Sequence, residues 1–183
     1  MLTLKTKIEK RMEFIAKRVP LDPNIVSLLA VFSMAAAGYF ILNYKLILAG
    51  FFALLSGFFD LLDGGVAKAH KKVTKFGGLL DRICDRISDF IILSSIILAG
   101  FVPLWIGLLS LVLVLLSSYI SACLEAQTKT KIGEALSLRG IRLSIIIAAL
   151  FINQIFLAIV IIIILSLFAF VQRLVKAYEI LRA

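Results

Sequence analysis

Four aspartates carry the chemical potential of this sequence. Asp60 and Asp63 close one apolar run, Asp81 and Asp85 open the next, and a basic link containing glycine joins the two. On a helix, Asp60, Asp63, Gly64 and Ala67 fall at i, i+3, i+4 and i+7, so two carboxylates and two small residues share a face. Gly77, Asp81 and Asp85 follow at i, i+4 and i+8 and share a face of the next helix. The two faces can oppose each other across a hairpin. Three or four converging carboxylates offer hard oxygen ligands and excess negative charge, which suits Mg²⁺, Mn²⁺ or Ca²⁺. Zinc would call for His and Cys, and the one histidine, His70, lies in the lysine-rich link.

Such a cluster needs compensation. An ionisable side chain inside a spanning helix costs about 2.5 to 3.5 kcal/mol, so four at one level cost roughly 10 kcal/mol if nothing offsets them. The link supplies Lys68, Lys71, Lys72 and Lys75, a cationic rim beside the acidic faces. A phosphate-bearing ligand could bridge cation and rim, its oxygens on the metal and its remaining charge on the lysines. The plainer alternatives are a basic membrane-proximal loop for the lysines and ion pairing with Arg82 and Arg86 for the aspartates. For Asp89, three residues beyond Arg86, a salt bridge is the expected role.

The elements that must position these residues are membrane spans. Of 183 residues 62% are hydrophobic, against roughly 45 to 50% in soluble domains, which makes this an integral membrane protein. The length allows about six spans of roughly 20 residues and no separate soluble domain, so one all-α membrane domain over 1–183 is expected. The spans fall at about 25–43, 45–63, 78–100, 102–123, 139–153 and 155–176. Before them, residues 2–19 place Leu4, Ile8, Met12, Ile15 and Val19 near one helical face, the pattern of an amphipathic helix lying in the interface. Pro20 and Pro23 end it, and Asn24 is placed to cap the first span. No cleaved signal peptide is expected.

Nineteen of the 20 Lys and Arg residues fall on one side of this topology, leaving Lys45 for the other. The positive-inside rule then puts both termini and the aspartates on the cytoplasmic side of the cell membrane. Tyr39, Tyr44 and Trp105 suit an aromatic belt at the opposite face. The net charge of +9 fits anionic headgroups or a phosphate-bearing substrate, while its division among separate loops argues against nucleic acid. Cys84 and Cys123 have no paired framework and read as small packing residues.

The stretch FDLLDGGVAKAHKKVTKFGGLLDRICD resembles the signature of the CDP-alcohol phosphatidyltransferases, D-x2-D-G-x2-A-R-x8-G-x3-D-x3-D. Asp60, Asp63, Gly64, Ala67, Gly77, Asp81 and Asp85 match, and Lys68 stands where the signature has arginine, which keeps the charge and loses the bidentate fork. The resemblance implies six spans behind a cytoplasmic amphipathic helix, a homodimer, and transfer of a phosphatidyl-type group from a CDP-linked lipid to an alcohol with release of CMP. It implies two divalent cations, Mg²⁺ or Mn²⁺, held by Asp60, Asp63 and Asp81 with Asp85 contributing to the second. Asp85 would also be the general base on the acceptor hydroxyl. Asp60, Gly64, Ala67, Lys68 and Gly77 would line the nucleotide and pyrophosphate pocket.

Within the family, KFGGLLDRICDRISD is most similar to the synthases of phosphatidylinositol phosphate and its archaeal ether-lipid counterpart, whose acceptor is inositol phosphate. Arg139 and Arg142, at i and i+3, look like that branch's paired arginines and, with Lys75, would hold the acceptor phosphate. Lys129 and Lys131 lie near them in sequence. Ser121 and Cys123 stand where that branch has an arginine-x-arginine pair, and Leu138 where it has an acid, so glycerol 3-phosphate or another small alcohol is the alternative acceptor. Two further alternatives are a different class of function, divalent-cation transport through the carboxylates, and a non-catalytic member that binds CDP-lipid, suggested by Lys68.

Overall fold

The computed structural model describes residues 16, 18, 20–128 and 138–182. The expected amphipathic helix over 2–19, and Lys129 and Lys131, lie outside the described residues save Ala16 and Arg18. Six helices follow: α1 (Pro23–Leu42), α2 (Leu46–Ala69), α3 (Lys75–Leu98), α4 (Leu104–Thr128), α5 (Leu138–Ile152) and α6 (Ile155–Arg182). No strand occurs among the described residues. Four of the six, α1, α2, α4 and α6, are long and apolar enough to cross a membrane. α3 carries the acidic face in its first half, and α5, at 15 residues, is roughly 22 Å long against a hydrocarbon core of about 30 Å.

Local chemistry sets the helix ends. Pro23 occupies the first turn of α1, and the Asp22 carboxylate accepts from the Asn24 amide at 2.9 Å. The cap is therefore Asp22, whose extended backbone aims its carboxylate at the free amides, and Asn24 is already helical. Thr74 caps α3 by accepting from the Gly77 amide at 2.9 Å. α2 runs on to Ala69 instead of closing at 63, because neither the aspartates nor Lys68 breaks a helix. It ends where Lys71 turns to φ +56°. The chain also reverses tightly at Tyr44 (φ 58°), Gly100 (φ 76°) and Asn153 (φ 55°). Tyr44 donates its hydroxyl to the Ala99 carbonyl at 3.0 Å, tying two of these turns together, while Tyr39 and Trp105 stay exposed.

The principal helix neighbours follow a ring, α1 to α2, α5, α6, α4, α3 and back to α1. α1 is packed against both α2 and α3, and these two are not packed along each other. Small residues make the α1 and α2 approach close: Ala30, Ala37, Ala49 and Ala53 are fully or nearly buried, and Ser56 donates to the Ala30 carbonyl at 2.8 Å. Met34, Ile41, Ile92, Ile96, Leu150, Ile159 and Ile162 fill the centre. Large apolar side chains such as Phe32, Ile47, Phe51, Leu98 and Phe168 point outward, the inverse of a soluble protein and the pattern of helices that are apolar all round. Cys84 is buried and Cys123 half-buried, neither in a disulfide, in the packing role expected of them.

Adjacent positions on α2 should separate packing from lipid contact. Ala53 is 0% exposed and Leu54 49% exposed. Ala53→Leu should destabilise the protein by about 1 to 3 kcal/mol through overpacking. Leu54→Ala should leave the melting temperature in detergent nearly unchanged.

Candidate active site

The site lies where the last turns of α2 meet the first turns of α3. Asp60 and Asp63 project from α2 and Asp81 from α3, and a carboxylate oxygen of each lies within 4.8 Å of the others. The helical spacing brought them together as expected, with α2 and α3 each packed on α1. Oxygens bound to one cation at 2.0 to 2.6 Å lie at most about 5 Å apart, so the three residues fit a hard divalent ion with little rearrangement. Asp63 is the most enclosed, at 6% exposure, and its Oδ2 accepts from the Ser27 hydroxyl of α1 at 2.6 Å.

Asp85, one turn beyond Asp81, is held differently. Arg139, in the first turn of α5, pairs through Nη1 with Asp60 at 2.5 Å and also with Asp85. Its Nε lies 3.9 Å from Asp89. Asp89 pairs with Arg86 at 3.1 Å, as its i, i+3 spacing predicted, and faces Arg142 at 3.8 Å. Arg142 is itself buried, at 6% exposure. Arg82 turns away from the aspartates to pair with Glu125 of α4 at 2.8 Å. The countercharge for Asp60 thus comes from α5, and that for Asp85 from α5 together with Arg86 of its own helix, at 3.6 Å. Five carboxylates (Asp60, Asp63, Asp81, Asp85, Asp89) against three guanidiniums (Arg86, Arg139, Arg142) leave two formal negative charges, the charge one divalent cation neutralises.

Gly64 and Gly77 have different reasons to be small. A Cβ on Gly64 would meet nothing within 4 Å, so its side faces open space although glycine inside a helix costs about 1 kcal/mol relative to alanine. A Cβ on Gly77 would lie 3.1 Å from Thr74 Oγ1 and 3.4 Å from Asn24 Oδ1, so that glycine also lets α1 and α3 approach. Ala67 is half-buried on the same face, Lys68 is exposed, and Lys75 is exposed on the first turn of α3, apart from the guanidinium cluster. Lys72 reaches Asp22 at 3.9 Å, and the His70 ring lies 3.3 Å from the Ala16 carbonyl.

Sequence reasoning did not find Ser27, one polar residue among several in an apolar helix, nor the joint attachment of Arg86 and Arg173 to α4. Arg86 donates to the Ser118 hydroxyl and Arg173, on α6, to the neighbouring Ser117 carbonyl. Both guanidiniums therefore flank one turn of α4. An arginine at a span end reads first as an interfacial anchor, so nothing in the pattern of α6 distinguishes Arg173.

A sequence model of the CDP-alcohol phosphatidyltransferase family matches residues 21–174. The archaetidylinositol phosphate synthase of Pyrococcus horikoshii is 32% identical over 177 residues, covering 95% of this chain and 94% of that protein. The phosphatidylinositol phosphate synthase of Mycobacterium tuberculosis, solved with CDP-DAG bound, has a TM-score of 0.80 and 26% identity, over 91% of this chain and 93% of that one. The same enzyme in complex with manganese and citrate also has a TM-score of 0.80 and 26% identity, over 91% and 88% of the two chains. These likenesses lend nothing to the cation-transport alternative. The chain belongs to the CDP-alcohol phosphatidyltransferase family, and is a membrane enzyme that moves a phosphatidyl-type group from a CDP-linked lipid to an alcohol.

Proposed function

We propose that the acceptor is inositol 1-phosphate and that the reaction needs two divalent cations, Mg²⁺ or Mn²⁺. The observation that carries this is the meeting of an acidic triad, Asp60, Asp63 and Asp81, with an arginine, Arg139, that already touches Asp60 and Asp85. One side of the site is built for a cation on a pyrophosphate. The other is built for an anion beside the reacting hydroxyl.

Asp60, Asp63 and Asp81 would hold the cations, with Asp85 contributing to the second, and bound metal would stabilise charge on the pyrophosphate as CMP departs. Gly64 and Ala67 leave room for the nucleotide, Lys68 offers it a cation, and Gly77 sits at the opposite wall. Asp85 takes the proton of the acceptor hydroxyl as its oxygen attacks the lipid-bearing phosphorus. The bond from that phosphorus to the CMP oxygen breaks, and the proton later passes to water. Arg139 and Arg142, with Lys75 at the rim, hold the acceptor phosphate. Arg139 can then orient the acceptor with respect to its base, because one guanidinium touches both.

All six helices act as spans of one domain covering 1–183, the shorter α5 and the acidic start of α3 being accommodated by their neighbours. The amphipathic pattern of residues 2–19 suits the interface, and the basic asymmetry puts the termini and the site on the cytoplasmic face of the cell membrane. The protein works as a homodimer. The similarity to inositol phosphate lipid synthases supports the acceptor, whereas Ser121 and Cys123, neutral where that branch is basic, favour glycerol 3-phosphate as the second reading.

The purified enzyme with CDP-lipid and Mg²⁺ or Mn²⁺ should release CMP with inositol 1-phosphate and not with free inositol, glycerol 3-phosphate or serine. Asp85→Asn should lower that rate by at least about 100-fold, the usual share of a general base. Release with glycerol 3-phosphate alone would establish the second reading. Gly64→Ala should separate chemistry from folding: stability should hold or rise by up to about 1 kcal/mol, while CMP release falls at least tenfold because the new methyl occupies the donor's space.

A further inference from the structure

We infer that Ser27 of α1 is a positioning residue for the metal site: its hydroxyl fixes the Asp63 carboxylate so that the remaining oxygen lone pairs converge with those of Asp60 and Asp81. The inference rests on the proposed cation-binding role of these aspartates and adds to it a residue on a third helix, outside the aspartate signature.

Three observations carry it. The Ser27 hydroxyl donates to Asp63 Oδ2 at 2.6 Å, within the short range of bonds to an ionised acceptor. The ordinary fate of a serine in a spanning helix is to return its proton to its own backbone, as Ser117 and Ser94 do to the carbonyls of Val114 and Ile91 at 3.0 and 3.1 Å. Ser27 has that option, the Pro23 carbonyl at 3.2 Å, yet its one proton goes to the much shorter contact with the carboxylate on α2. Ser27 is also enclosed, at 5% exposure, on a helix held against α2 by Ala30, Ala53 and the Ser56 bond. A hydroxyl so fixed leaves Asp63 little rotational freedom.

The assignment explains why Asp63 differs from Asp60. Asp60 is held by a long arginine side chain, whereas Asp63 is held by two short donors, the Ser27 hydroxyl on Oδ2 at 2.6 Å and the Gly64 backbone amide on Oδ1 at 2.5 Å, of which only the hydroxyl comes from another helix. Residues that orient metal ligands typically contribute 10- to 100-fold to affinity or activity.

The test is Mn²⁺ titration of the purified full-length protein in detergent, with free Mn²⁺ read by its electron paramagnetic resonance signal and no substrate present. Wild type should bind, Asp63→Asn should not, Ser27→Ala should bind 10- to 100-fold more weakly, and Ser27→Thr, which restores the hydroxyl, should return to within about threefold of wild type. The metal-free melting temperature of each variant reports folding separately. Equal affinities for Ser27→Ala and wild type, or equal weakening in Ser27→Ala and Ser27→Thr, would overturn the inference while leaving the cation site standing. Unchanged affinity in Asp63→Asn would instead overturn the cation site itself.

Discussion

The structure depends on the placement of more carboxylates than guanidiniums at the ends of two apolar helices. Repulsion among Asp60, Asp63, Asp81 and Asp85 would push α2 and α3 apart, and Arg139 is the side chain that directly opposes it by pairing with Asp60 and Asp85 together. Removing one partner from such an enclosed pair typically costs about 3 to 5 kcal/mol, because a charge is left without compensation. α5 is thus attached to the bundle through charge as well as through apolar packing. The same excess of negative charge that sets these side chains against one another gives the site its affinity for a cation.

The ring of helices makes this arrangement accessible. α2 and α3 both rest on α1, and the space left between them is spanned by side chains instead of filled by packing. Two helices packed directly together would bury their carboxylates against each other and leave no approach for a pyrophosphate. α1 therefore has a double task. Its small residues bring it close to α2, and its polar residues, Asn24 beside Gly77 and Ser27 on Asp63, meet the reactive ends of both neighbours.

How much of this can be read from the sequence follows from the range of the interaction concerned. Helical periodicity is local, so the shared faces of Asp60 with Asp63 and of Asp81 with Asp85 were legible, as were the six helices and the Asp89 pair with Arg86. Helix ends were less so: the cap on α1 is Asp22 and not Asn24, and α2 continues past Asp63 to Ala69, because competing local choices differ by about 1 kcal/mol. Contacts between distant segments were not legible from periodicity at all. The pairing of Arg139 with Asp60 and Asp85 joins segments far apart in the chain, and Ser27 resembles every other serine in an apolar helix until α2 is laid beside it. The family signature added an expectation that periodicity could not, a joint role for the four aspartates, of which Asp60, Asp63 and Asp81 lie within 4.8 Å of one another.

The chemistry of the reaction also accounts for where polarity is concentrated. A CDP-linked lipid is apolar at one end and multiply charged at the other, and a small alcohol acceptor is polar throughout, so their reacting groups can meet only near an interface. Polar side chains follow that requirement: Ser27, the aspartates, Arg82, Arg86, Arg139 and Arg173 lie toward one end of their helices, while the opposite turns carry Asn43, Tyr44, Lys45, Asn153 and Gln154. Exposed phenylalanine, leucine and isoleucine along the outer faces offer lipid chains an environment like the bilayer, so the tails need no dedicated apolar pocket. Specificity is then free to reside in the headgroup site, where one acidic triad and one cluster of guanidiniums stand side by side. A substrate pair must satisfy both at once. Under the proposed reading, free inositol, lacking the phosphate, would offer Arg139 and Arg142 no anion beyond the aspartates they already face, so the guanidinium cluster, more than the aspartates, would set which alcohol this enzyme takes.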